Sequence, residues 1–73
     1  MKIKRFIYLA EKGNINFIDS VSAEMAYRSI CYFYMPYTKI IVIDTETNKA
    51  SIFTRKLDEN GNLISIFNEL EEN

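Results

Sequence analysis

Three places in this 73-residue sequence hold side chains that could do chemistry. The first is Ile40-Ile-Val-Ile-Asp-Thr-Glu-Thr47, a strand-like run closing on Asp44 and Glu46. Side chains two apart on a strand share a face, so the two carboxylates could share divalent metals and hydrolyse a phosphodiester. That chemistry needs further carboxylates from distant segments, and no later motif supplies them. A solvated turn closing a strand is the preferred reading. The second place is Asp58-Glu-Asn-Gly-Asn62. Asp58, Asn60 and Asn62 stand at positions one, three and five of a calcium loop, and Glu69 at position twelve. Position six of such a loop should be glycine, and here it is Leu63. The flanks read as strands, so a plain hairpin turn is expected. The third place is Cys31, the only cysteine, in a chain without histidine to activate it. On a helix it falls about 40° from Tyr27, on the apolar stripe, where a thiol is inert. No catalytic residue, metal ligand or cofactor is expected, and the chain reads as non-enzymatic.

A fourth feature is diffuse. Lys2, Lys4, Arg5, Lys12, Lys49, Arg55 and Lys56 lie in strand-like segments and their turns, near Phe6, Tyr8 and Phe53. A sheet presenting Arg5, Arg55 and Lys56 around Phe53 could stack the bases of a single-stranded nucleic acid over a charged track. The formal net charge of −1 gives no bulk attraction for such a partner. The acidic tail Glu69, Glu71 and Glu72 opposes it. Nucleic acid is therefore the alternative expectation and not the leading one.

The elements that must position these residues follow from pattern. Ile3 to Leu9 is rich in β-branched and aromatic residues. Gly13, in Glu11-Lys-Gly-Asn14, can supply the positive φ of a tight turn, and Ile15 to Ile18 can return as a short strand. A helix follows, capped by Ser20 or Ser22. Glu24 precedes Arg28 by four, the favourable order for an ion pair. Ala23, Ala26, Tyr27, Ile30 and Tyr34 form one apolar stripe, and Pro36 ends the helix. Lys39 to Asp44 is apolar on both faces, as a central strand is. Ala50 to Leu57 is another strand after the turn Thr45 to Lys49. Asn60-Gly61 is the favoured hairpin pair, and Leu63 to Phe67 returns as a strand, with a terminal helix as competitor. The order is β(β)αβββ: a single α+β domain over residues 1–73, with an antiparallel or mixed sheet of four to five strands and one helix on one face.

Length and composition set what such a fold needs. Hydrophobic residues make up 48% and charged residues 26%, values of a globular chain. A domain this small buries only about 60% of the surface its unfolded chain exposes, and chains below about 70–80 residues often add disulfides, a metal or a second subunit. A lone cysteine excludes an internal disulfide, so self-association remains. The opening apolar run Phe6 to Ala10 breaks at Glu11, too short for a signal core. No stretch approaches a membrane span, and a cytoplasmic location is expected.

The apolar residues exceed what one helix can cover. Both faces of the expected strands are apolar, where the solvent face should turn polar. The helix also carries Met25, Arg28, Tyr32 and Met35 on its outer side. Tyr, Met and Arg are enriched in interface cores. Met25, Arg28, Tyr32 and Met35, with Phe6 and Tyr8 on the first strand, are therefore the candidate partner-binding residues. The expected function is that of a small protein-interaction module, a homodimer that regulates or inhibits a larger protein of unknown identity.

Overall fold

A computed structural model describes residues 4–11 and 13–70. Several residues named above (Lys2, Ile3, Lys12, Glu71 and Glu72) lie outside the described residues. The chain runs β1 (Phe6–Ala10), β2 (Ile15–Ile18), α1 (Ala23–Ile30), a 3₁₀ turn (Cys31–Phe33), β3 (Lys39–Asp44), β4 (Lys49–Leu57) and β5 (Leu63–Leu70). The strands form one five-stranded sheet in the order β2-β1-β3-β4-β5. Every neighbouring pair is antiparallel. This is the expected α+β fold, and the C-terminal segment is a strand, not a second helix.

Local chemistry explains most boundaries. Ser22 caps α1: its side chain accepts the backbone N–H of Met25 at 3.2 Å. Arg28 pairs with Glu24 at 3.3 Å. The α-helix stops at Ile30, earlier than the stripe to Tyr34 implied, because the backbone tightens into the 3₁₀ turn and is extended by Tyr34. Pro36 then opens a tight turn in which the Thr38 N–H donates to the Met35 carbonyl at 3.3 Å. At Gly61 the backbone takes φ +82°, the left-handed conformation that Asn-Gly hairpins require. At Gly13 an added Cβ would come within 3.3 Å of the Ala10 carbonyl, a tight approach that glycine relieves.

Two residues apart on each strand, the sheet shows α1 one face. Phe6 and Ala10 on β1, Ile40 and Val42 on β3, and Ser51 and Phe53 on β4 are buried there beneath Ala26, Tyr27 and Ile30. Ala26 has no side chain beyond Cβ, which lets the helix sit close. Tyr27 stacks flat on Phe53, ring centroids 4.4 Å apart and planes 8° off parallel. Its hydroxyl lies 3.4 Å from the Ser65 hydroxyl, within reach of a hydrogen bond. Helix, β4 and β5 thus meet on one aromatic stack.

Phe53→Ala removes the middle of that stack. A buried Phe→Ala change costs about 3–5 kcal/mol, against a total stability on the order of 4–11 kcal/mol for this length. Urea unfolding should show a midpoint lowered by half or more, while Phe33→Ala, at an exposed position, should change it little.

Candidate functional site

The carboxylate pair that suggested metal chemistry is tied down by a residue far away in sequence. Asp44 ends β3, and Phe6↔Asp44 register brings the start of β1 beside it. There Arg5 reaches it with two parallel bonds, Nε to Oδ1 at 2.9 Å and Nη2 to Oδ2 at 2.8 Å. Glu46 lies 3.3 Å from Arg5 Nε. The Glu46 N–H donates to Asp44 Oδ1 at 3.0 Å, and the Asn48 N–H to the Asp44 carbonyl at 2.7 Å. Thr45 closes the loop on the Arg5 carbonyl through both its N–H and its hydroxyl. The Arg5 bonds, helped by the Glu46 amide, hold the Asp44 carboxyl down at about 2 against the opposing effect of burial. Asp44 and Glu46 are engaged in stitching the β3–β4 turn to β1. Among the described residues no group of three or more Cys, Asp or Glu side chains could hold a metal ion.

Asp58 likewise serves its own turn. Its Oδ1 accepts the N–H groups of Asn60 at 2.9 Å and Asn62 at 2.8 Å. Glu69 lies on β5, paired in register with Ser51. Cys31 is buried and donates its S–H to the Arg28 carbonyl at 3.6 Å.

The basic and aromatic set divides. Phe53 is 1% exposed beneath Tyr27, so its ring is closed to a base. Arg5 is held by Asp44 and lies over the Phe6 ring at 5.0 Å. Arg55 donates to the Tyr34 carbonyl. Lys56 is exposed, one position along β4 and therefore on the opposite face. No shared track results.

The partner-binding set also divides. Phe6 is fully buried and Tyr8 half-buried, both under the helix side. Burial pushes the Tyr8 phenol up, and Tyr34 adds to the shift. Expecting Phe6 and Tyr8 at a contact surface was wrong about which side of β1 the helix covers. The uncovered side belongs to Ile7 and Leu9. Register extends it across the sheet in two rows: Phe17, Ile7, Ile43 and Ala50, then Ile15, Leu9, Ile41 and Ile52. Neither row contains a charge. Lys39 and Lys56 stand beyond one end, and Ile64 and Ile66 continue the face onto β5. Nothing in the described chain packs over this face, and Phe17, Ile15, Ile43 and Ile64 are exposed.

Met25, Arg28, Tyr32 and Met35 are exposed as expected. Phe33, which the helical pattern did not mark, is as exposed as Tyr32, at 81%. It turns outward because the 3₁₀ turn departs from the 100° steps of an α-helix. Tyr37 extends this second patch from a strained backbone, φ +71°, held by its N–H to the Arg55 carbonyl at 2.7 Å and its hydroxyl near the Leu57 N–H. An aromatic residue adopts that conformation only when its surroundings impose it. No helix among the described residues is long and apolar enough to cross a membrane.

Comparison of the chain with family models, curated proteins and solved structures finds no match.

The Arg5–Asp44 pair sets a pH dependence. Asp44 is depressed in the folded state, to about 2, from an unfolded value near about 3.9. The stability it contributes is fully present above about pH 4 and is lost as pH falls towards 2. Asp44→Asn should flatten the acid limb of a stability–pH curve in that window. At neutral pH it should cost about 1.5–3 kcal/mol, the range for bonds to a charged group, read by urea unfolding.

Proposed function

We propose that the chain is a non-enzymatic protein-interaction module, a cytoplasmic homodimer that regulates or inhibits a larger protein. The observation that carries this reading is the uncovered sheet face. Its rows span β2, β1, β3 and β4 without one charged side chain. Apolar patches beyond a few hundred Å² on soluble proteins mark contact surfaces. Four strands spaced about 4.8 Å apart, with two rows of large side chains, reach that size. The flat face is made by backbone pairing, so it is present before the partner arrives and little ordering opposes binding. The exposed Tyr32, Phe33 and Met35 supply a second, more adaptable contact.

The alternative, a single-stranded nucleic-acid binder, has less support. Its aromatic anchor Phe53 is buried under α1 and Arg5 is committed to Asp44. The Asp44–Glu46 pair gives no more support to nuclease chemistry, since both carboxylates already neutralise one guanidinium.

The test places a photoreactive side chain at Ile43, in the middle of the face, and at Asn60, on the β4–β5 turn, in the cell of origin. Adducts to one protein species from Ile43 and not from Asn60 are expected. Equal labelling from both sites, or none from Ile43, would reject the uncovered face as the contact surface.

A further inference from the structure

The two edges of the sheet differ in how they are guarded. β2 is a four-residue strand, bordered by Asn14 and Asp19, and short edges resist further pairing. β5 is eight residues long. From Leu63 to Asn68 it holds no lysine, no proline and no charge. Its pairing with β4 is regular from Ala50↔Leu70 to Leu57↔Leu63, so no bulge blunts it.

The direction of its free backbone groups can be read. The Asp58 N–H donates to the Asn62 carbonyl at 2.8 Å. Bonded and non-bonded pairs alternate in an antiparallel ladder. The even-numbered residues of β5 therefore turn their N–H and C=O towards β4. Ser65, Phe67 and Glu69 turn theirs to the open edge.

We propose that a second copy of this chain pairs with that edge, antiparallel and two-fold symmetric about Phe67, joining two five-stranded sheets into one of ten strands. The proposal rests on the homodimer of the reading above and names its interface. Two observations select a second copy as the occupant. First, the axis falls on a residue with outward backbone groups, so Phe67 bonds Phe67 of the copy and residues 65 and 69 bond each other, about six bonds in all. Second, an aromatic row runs from Tyr27 through Phe53 to Phe67 and stops at the edge. Phe53 and Phe67 are 5.0 Å apart, and Phe67 is 53% exposed. The two-fold continues this row into its own mirror order, and a closed symmetric contact requires such self-complementarity. Seven paired residues span about 24 Å, an interface at the small end of specific contacts. The dimer leaves the apolar rows of both copies side by side on one face.

Sedimentation of the wild type and of Phe67→Glu, Phe67→Lys and Ser65→Pro tests it, with circular dichroism to confirm that each is folded. Ser65→Pro removes an outward N–H, which an edge strand tolerates, together with the hydroxyl that lies 3.4 Å from the Tyr27 hydroxyl. Dimerisation of the wild type with rising concentration is expected. All three variants should dimerise about tenfold or more weakly. An equimolar mixture of Phe67→Glu and Phe67→Lys should recover the dimer, because only an axis at residue 67 sets unlike charges opposite each other. A wild type that stays monomeric, and binds at β5 only an added extended peptide or nothing, overturns the proposal. So do folded variants that dimerise like the wild type, or a mixture no stronger than its components. Photolabelling from Ile43 repeated in the monomeric Phe67→Glu background reads the uncovered face separately from the edge.

Discussion

Among the described residues a single short helix has to cover a broad sheet, and it cannot. Eight helical residues make a rod about 12 Å long and about 10 Å wide. Five strands span about 19 Å from first to last axis, with two faces. α1 settles over the middle of one face, where Ala26 permits close approach and Tyr27 lies on Phe53. What lies outside its footprint is fixed by that choice. On the same face the β5 side chains Leu63 and Phe67 stay exposed, and the entire reverse face stays open. The fold is thus stable around one aromatic stack and unfinished everywhere the helix does not reach.

The strand pattern, the turns and the helix cap were legible in the sequence because each is a local matter. Ser22 caps because an oxygen three residues before an orphan N–H can reach it, and Asn60-Gly61 turns because Gly61 can adopt a positive φ. The faces were not legible. Where both sides of a strand are apolar, period-two alternation carries no sign, and only tertiary packing says which side meets the helix. Alternation therefore does not separate Phe6 and Tyr8 from Ile7 and Leu9, and the fold places the latter pair on the side away from the helix. Phe33 escapes the pattern because α-helical steps do not carry through a segment that tightens to 3₁₀.

The Arg5–Asp44 pair was hidden for a different reason. Its members are 39 residues apart, and nothing local in either segment announces the other. The sequence offered Asp44 with its neighbour Glu46, and two carboxylates two apart on a strand suggest a metal. In the fold a guanidinium lies where that metal would be. The same residue types at the same spacing serve either purpose, and the decision rests on what the start of β1 places beside the end of β3. Because Asp44 is nearly buried while its oxygens accept from both Arg5 and a backbone amide, its charge is matched. The pair also joins β1 to the β3–β4 turn.

Sheet edges bring the same constraint to a finer scale. A protein that must stay alone guards its long edges, since every outward N–H and C=O is a standing invitation to another strand. The guard at β2 is its brevity. At β5 no lysine, proline or charge guards the stretch from Leu63 to Asn68. The aromatic row that organises the core also runs out to that edge. A second, covering helix would remove both the free edge and the open face, and the described residues hold none. In its absence, two kinds of surface remain with different chemistry: a directional row of backbone donors and acceptors at β5, and a non-directional apolar plane across β2, β1, β3 and β4. The first is specific in register and weak in area, which suits pairing between identical chains. The second is broad and lacks polar groups to fix an orientation, which suits a partner whose own shape supplies the specificity. A chain that carries both can join to itself along one while keeping the other free.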